Sequence, residues 1–395
     1  MNIVLITGHQ YPTGTALTNR IRSYLEVLAS LSNKVSVLVY KPSEDRKHPQ
    51  NQRMGVLSGV EYRYTSYTIY QSQKRYMTFL AWVYGYINCL IKLIRINRRK
   101  HIDIIILAQA RCSLIPFVYL LTRATDTKFL LENSEFPWFL IRPKASNWFY
   151  RPLYQKLYYR LFDGVIAMTS ILQEYHQKYG KKDIRIIHLP MTVDMSRFTQ
   201  NVPRENRITY IGNKSFHKDG VDILLRAFVS IADRIAGWNL VIVGDSGNDD
   251  AINDRAKSHG LAQRVLTLGN VHRDEVPPLL LRSKILALAR PHGIQSEGGF
   301  PTKLGEYLAS GNLVIVTDVG EITQYLQDGV SALVAQADDD KDFALKLEYA
   351  ITQYENLEHI RQAGFNVCRQ HFNAEVQGKR LNEFFVSLVS RVRTG

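Results

Sequence analysis

Lys303 and Glu306 stand three residues apart within the stretch Ser296 to Thr317, SEGGFPTKLGEYLASGNLVIVT. On a helix, that spacing puts an ammonium and a carboxylate on one face. Pro301 suits a first helical position, and Gly311 suits a left-handed stop before the β-rich run Val314-Ile315-Val316. The stretch therefore predicts a glycine-rich turn to Phe300, a short helix from Pro301 and a buried strand from about Leu313. Such a helix aims its unpaired N–H groups at the space beside Gly298 and Gly299, where a ligand can approach the backbone and an anion is favoured. A cation beside those N–H groups suits a phosphate, and a carboxylate one turn on can accept hydrogen bonds from a diol. Together they point to a nucleotide-diphosphate sugar. The same residues also fit an ordinary turn followed by a surface Lys–Glu pair.

A helix end can serve such a ligand only if a sheet holds it in place. Arg207 to Ile211, Leu240 to Gly244, Val265 to Leu268 and Ile285 to Leu288 read as buried strands with helices between them, a second α/β domain after the polar linker that ends near Asn206. Ligands of open α/β sheets bind at the carboxyl ends of the strands. Two polar segments lie there: Gly212-Asn213-Lys214 running on to Lys218-Asp219-Gly220, and Arg290-Pro291-His292. Arg290 is placed to reach a diphosphate.

Gly299 to Gly311, GFPTKLGEYLASG, resembles the donor-binding segment of the family-4 retaining glycosyltransferases of GT-B fold, in particular a bacterial branch with a GFPTKLxEYLASG-like signature. The resemblance implies two glutamates separated by seven residues, the second meeting the nucleotide ribose. Glu306 matches the second; the first position falls on Gly298, with Glu297 one residue early. The 212–220 segment is similar to the family's phosphate loop, where a glycine is followed by an arginine and later by Lys-x-Gly. Gly212 and Lys218 match, Asn213 stands at the arginine's position, and Lys214 is its neighbouring cation. The resemblance thus implies Lys218, Lys303 and Glu306 as catalytic residues, and Gly212, Asn213, Lys214, Arg290, Glu297, Gly298, Gly299, Phe300 and Thr302 as donor-binding ones.

The first half opens with a strand, Ile3 to Thr7, the loop Gly8 to Gly14, a helix striped by Leu17, Ile21, Leu25 and Leu28, and a second strand, Val35 to Tyr40. No G-x-G-x-x-G joins strand to helix, which disfavours a dinucleotide cofactor. By the resemblance, Gly14 faces the acceptor. Residues 43–75 are polar, basic and turn-rich and predict an excursion with little regular structure. From Arg75 to Lys100 a helix is expected to bury Leu80, Val83, Ile87, Leu90 and Ile94. Ile102 to Leu107 and Lys128 to Leu131 are further strands; after the second, Glu132 and Glu135 lie at a carboxyl end and are the acceptor-side carboxylates. The family's histidine after the 102–107 strand is replaced by Ala108-Gln109.

The 395 residues suggest two domains, and three scattered cysteines without C-x-x-C give no disulfide framework or zinc site. Residues 1–200 hold 28 Lys+Arg against 12 Asp+Glu, net +16, whereas the remainder holds 22 against 24. The positive field belongs to the first half and calls for an anionic partner, either a membrane surface or a nucleic acid. Aromatic residues interleave with Arg151, Lys156 and Arg160 over Trp148 to Phe162, which suits headgroup depth in a bilayer or a helix packed on the sheet. No RNA- or DNA-recognition signature appears, so nucleic acid ranks below lipid. Asp338-Asp339-Asp340 reads as a capping turn rather than a metal site.

Taken whole, the resemblance implies an α/β GT-B protein: two Rossmann-like domains, 1–200 for the acceptor and 201–375 for the donor, facing across a central cleft, with a C-terminal helix, 376–395, crossing back to the first. It implies a metal-independent, retaining hexosyl transfer without cofactor from a nucleotide-diphosphate sugar to a glycan or lipid-linked acceptor in bacterial surface polysaccharide synthesis. The expected location is cytoplasmic, peripheral to the inner face of the plasma membrane. The rival from another class is a non-catalytic nucleic-acid-binding or membrane-scaffolding protein on a degenerate GT-B fold.

Overall fold

The computed structural model describes residues 1–390 apart from 45, 47–50, 109–113, 138–139, 141–146 and 246. Gln109, Cys112 and Trp138 lie outside the described residues, as do residues 391–395, where the C-terminal helix was expected to end. The chain forms two units, Met1–Thr192 with Ala374–Gly395, and Val193–Asn373. The unit changes thus fall at 192/193 and 373/374.

The first unit is an eight-stranded sheet built from β1 (Asn2–Thr7), β2 (Lys34–Val39), β3 (Met54–Leu57), β4 (Val60–Tyr64), β5 (Ile104–Ala108), β6 (Lys128–Asn133), β7 (Gly164–Ala167) and β8 (Arg185–His188), in the order β3-β4-β2-β1-β5-β6-β7-β8. Every neighbouring pair is parallel except β3 with β4. Strands β1 and β5 are buried at every position, as parallel strands covered on both faces must be. The C-terminal helix, Ala374–Ser390, belongs to this unit: Leu381, Phe385 and Leu388 join the core that holds Tyr24, Leu25 and Leu28. Gly378 permits the contact, because a Cβ there would lie 2.6 Å from Val27.

Two expectations change here. Residues 43–75 are not structureless: β3 and β4 lie within them, and Val60, Tyr62 and Tyr64 alternate buried with exposed residues. That period of two is the pattern of a half-covered strand at a sheet margin. The second change concerns the helix Arg75–Arg99, which buries Ala81, Gly85, Cys89 and Leu93 instead of the large apolar stripe. Small residues face the sheet because the backbones approach closely. A Cβ on Gly85 would sit 2.3 Å from the Tyr40 carbonyl oxygen, and Thr65 donates to the Gly85 carbonyl at 2.6 Å.

The second unit is an all-parallel six-stranded sheet of β9 (Glu205–Ile211), β10 (Asn239–Val243), β11 (Val265–Leu268), β12 (Ser283–Leu288), β13 (Leu313–Thr317) and β14 (Leu333–Ala335). Its order, β11-β10-β9-β12-β13-β14, winds outward in both directions from β9 and β12. The order reverses between those two strands, so the crevice for a ligand opens beyond their carboxyl ends.

Candidate active site

The residues following β9 and β12 are Gly212 to Gly220 and Ala289 to Gly293, and the helix Thr302–Ala309 comes up beside them. Its N-cap is Pro301, with no side-chain cap, and Gly311 ends the turn beyond it at φ +67°. The sequence expectation placed the first helical residue one earlier, and the glycine-rich turn before it is partly helical, Ile294–Gly298.

Lys303 is the centre of the arrangement. Its ammonium donates to the Tyr210 hydroxyl at 2.8 Å and to Asp219 Oδ1 at 2.9 Å, and lies 4.7 Å from the centre of the Tyr210 ring. Side-chain exposure is 16% for Lys303 and 6% for Asp219. Burial pulls the Lys303 pKa below its ordinary value; Asp219 opposes that shift, while Arg290 and Lys218 add to it. Arg290 and Lys218 therefore both act on the Lys303 ammonium, and Asp219 is the carboxylate that pairs with it. Arg290 is buried directly after β12, where its carbonyl accepts from Thr317 Oγ1 at 2.7 Å.

Two glycines make room for this cluster. A Cβ on Gly212 would lie 2.3 Å from Lys303 Nζ, so the ammonium occupies the space that any other residue would fill. Gly220 adopts φ +65°, and a Cβ there would meet the Ala289 carbonyl at 1.7 Å. The close approach of the segments after β9 and β12 thus requires glycine. The Tyr307 hydroxyl ties the helix to the sheet by accepting from the Ile211 N–H at 2.8 Å.

Glu306 lies one turn along the same helix. Its Oε1 accepts from Arg197 Nη1 at 3.0 Å, and Arg197 Nη2 donates to the Arg273 carbonyl. Burial leaves the Glu306 side chain 23% exposed, and among the described residues Oε2 accepts no protein hydrogen bond. One oxygen is fixed by a guanidinium and the other is open to a ligand hydroxyl.

Other expected residues sit differently. Lys214 is fully buried, and its ammonium pairs with Asp249 rather than joining the cluster. Asn213 is exposed and takes part through its carbonyl, which accepts from the Tyr210 hydroxyl at 2.6 Å. Phe300 packs into an aromatic core with Tyr325 and Phe372, at centroid distances of 5.5 Å and 5.3 Å. Gly298 and Gly299 are buried ahead of the Thr302 helix end, with Thr302 half-buried. Glu297 pairs with His292 Nδ1 at 3.0 Å, and that contact raises the imidazole pKa. Asp339 caps the helix Asp340–Thr352, accepting from Lys341 and Asp342 N–H groups, and Asp338 accepts from the His292 N–H at 3.2 Å.

In the first unit, Gly14 closes the loop after β1: a Cβ would lie 2.8 Å from Thr18 Oγ1. Glu135 is half-buried beyond β6. Glu132 is not open to an acceptor. It is wholly buried and paired with Arg20, whose Nη2 donates to the Leu189 carbonyl at 2.6 Å. Burial lifts the Glu132 pKa above the usual carboxylate range, with Arg20 opposing.

Sequence reasoning missed Tyr210, Asp219 and Arg197. Tyr210 lies just before Gly212 and Asp219 directly before Gly220, so both were legible by position; Arg197, 109 residues before Glu306, left no local signal.

Residues 194–367 match the family model described as glycosyl transferases group 1. A phosphatidyl-myo-inositol mannosyltransferase of Mycolicibacterium smegmatis is 26% identical over 203 residues, 50% of this chain and 49% of that protein, so the chain spans about half the length of this curated relative. Among solved structures, a glycosyltransferase from Rickettsia africae superposes with TM-score 0.71 at 15% identity, covering 98% of each chain. Anabaena HepE in complex with UDP superposes with TM-score 0.69 at 16% identity, covering 98% of this chain and 100% of that one. Residues 194–367, within the second unit, are thus similar to the group 1 glycosyl transferases, and the chain's two Rossmann-like sheets have the fold of the GT-B glycosyltransferases.

Proposed function

We propose that the chain is a retaining glycosyltransferase that moves a hexosyl group from a nucleotide-diphosphate sugar to a glycan or lipid-linked acceptor, without a metal. The observation that carries this reading is the convergence of Lys218, Arg290 and Lys303 with an uncapped helix N-terminus beyond the carboxyl ends of β9 and β12. A diphosphate there meets cations and N–H groups that strengthen as negative charge builds on the leaving group. The UDP in the HepE structure fits the same donor class.

Transfer with retention follows from chemistry at one face. The C1–oxygen bond to the diphosphate breaks with its electron pair going to the phosphate, and the acceptor oxygen bonds to C1 on the side just vacated. The acceptor's proton passes to the departing phosphate oxygen. Lys303 and Arg290 hold that oxygen's charge, and the open Glu306 oxygen holds the ribose diol. A phospholipid in the curated relative's name suits a lipid-linked acceptor, and synthesis of bacterial surface polysaccharide at the cytoplasmic side of the plasma membrane suits both.

Glu306→Gln is expected to weaken nucleoside-diphosphate affinity even without the sugar, by about tenfold, because a charged acceptor to a diol becomes a neutral one. Titration calorimetry against UDP, GDP and ADP reads this directly. Unchanged affinity for whichever diphosphate the wild type binds would remove Glu306 from the ribose.

Metal independence has its own test. Carboxylates and Mg²⁺ would normally hold a diphosphate in a metal-dependent site. With three protein cations in that role, chelator should leave transfer to a defined acceptor nearly unchanged. Loss of transfer in EDTA, restored by Mg²⁺ or Mn²⁺, would overturn the assignment.

A further inference from the structure

The helix Arg75–Arg99 is long and apolar enough to cross a membrane, yet only 22% of its most apolar window is buried. Its large side chains point outward: Leu80, Tyr84, Ile87, Ile91 and Ile94 are each between 39% and 55% exposed. They recur at intervals of four and three, which makes a single straight ridge along the helix. An unbroken apolar ridge of this length on a folded surface marks a contact face.

The helix cannot leave the sheet to span a bilayer. Gly85 presses its backbone against Tyr40, Thr65 donates to the Gly85 carbonyl, and Asn88 Nδ2 donates to the Thr65 carbonyl at 2.7 Å. The ridge must therefore be covered while the opposite face stays on the protein.

Charge selects what covers it. From Lys74 to Ile102 there is no acidic residue, while Lys92, Arg95, Arg98, Arg99 and Lys100 crowd the C-terminal end and Lys74 and Arg75 open the helix. A second copy packed parallel would set the basic ends together, and packed antiparallel it would set them against Lys74 and Arg75. Both arrangements repel. An anionic surface with an apolar interior satisfies ridge and cations together.

We propose that the outward ridge of the Arg75–Arg99 helix lies flat in the interface of an anionic lipid bilayer, with Leu80, Ile87 and Ile91 inserted and Arg95, Arg98 and Arg99 at the headgroups. This deepens the reading of a membrane-proximal acceptor, but it rests on exposure and charge and needs no donor chemistry.

The test is co-sedimentation of the full chain with phosphatidylcholine vesicles, with and without phosphatidylglycerol. Binding should rise with phosphatidylglycerol and fall with salt, since exposed charges are screened over about 10 Å at 0.1 M. Ile87→Glu with Ile91→Glu should lower partitioning more than about tenfold, because two apolar side chains that enter the bilayer are replaced by charges repelled from the headgroups. Both positions are exposed, so unchanged circular dichroism and thermal midpoint are expected and verify the fold. Arg95→Ala with Arg98→Ala and Arg99→Ala should remove the preference for anionic lipid. Lys303→Ala with Asp219→Asn, which removes the ammonium without stranding its buried carboxylate, should bind vesicles like the wild type, which separates failure of this proposal from failure of the catalytic reading. Equal binding to both vesicle types, or unchanged binding by the double glutamate variant, would overturn it. So would a dimer in sedimentation velocity that the double glutamate variant dissolves, since the ridge would then belong to a second copy.

Discussion

Lys303→Ala is expected to lower turnover by about 10²–10³, the usual loss when one preorganised charge-stabilising donor is removed from a reacting oxygen. The same change should also destabilise the fold. Asp219, with 6% of its side chain exposed, would lose the ammonium 2.9 Å away. Stranding one partner of a buried pair costs about 3–5 kcal/mol. Lys303→Ala with Asp219→Asn should recover most of the lost thermal midpoint and none of the turnover. Steady-state kinetics and thermal melts on the three proteins separate the two effects. Full turnover in either variant would exclude Lys303 from the chemistry.

The second large effect is expected far from any substrate, at Arg20. Its guanidinium meets Glu132 and the Leu189 carbonyl, its own carbonyl accepts from Thr192 Oγ1 at 3.2 Å, and its side chain is 1% exposed. Arg20→Met removes the cation and leaves Glu132 enclosed, at a cost of about 3–5 kcal/mol. The cost should depend on pH. Without Arg20 to oppose burial, Glu132 in the folded variant titrates still higher above its unfolded value. Below the unfolded pKa both states carry the proton and no penalty arises. As pH rises through the window up to the folded pKa, the unfolded state ionises first and stability falls. Urea unfolding should therefore show a larger deficit at pH 7 than at pH 4, and Glu132→Gln in the same chain should flatten the difference. An equal deficit at both pH values would mean that the lost packing of Arg20, and not the stranded carboxylate, is responsible.

The cluster around Lys303 was legible in the sequence where chemistry and backbone constraint coincide. Gly212, Gly220, Lys303 and Gly311 are each dictated by local geometry, so their types announce their places. The partners were less legible because their reasons are tertiary. Asp219 acquires its role only when the helix Thr302–Ala309 brings Lys303 across, and Arg197 only when its turn reaches Glu306. Lys214 misled for a related cause: its position in the loop matches a phosphate ligand, whereas the strand end turns it inward to Asp249. The Arg75–Arg99 helix reads as a core helix under the rule that the larger apolar stripe is buried. The sheet instead selects the stripe of Ala81, Gly85 and Cys89, because close backbone approach excludes bulk. Burial is decided by fit, and periodicity alone cannot say which of two apolar faces fits.

The second unit begins and ends at one spot. The Val193 N–H donates to the Phe372 carbonyl at 2.8 Å, and Val193 pairs with Asn373 as a parallel bridge. A segment whose entry and exit already touch can be lifted out as a cassette, because inserting it elsewhere adds almost no loop for the host to close. Its sheet, the 212–220 loop and Glu306 all travel with it, and the family match at 194–367 falls inside the same cut points. Exchange of this unit between chains of the same build then needs two joints and no redesign of the host.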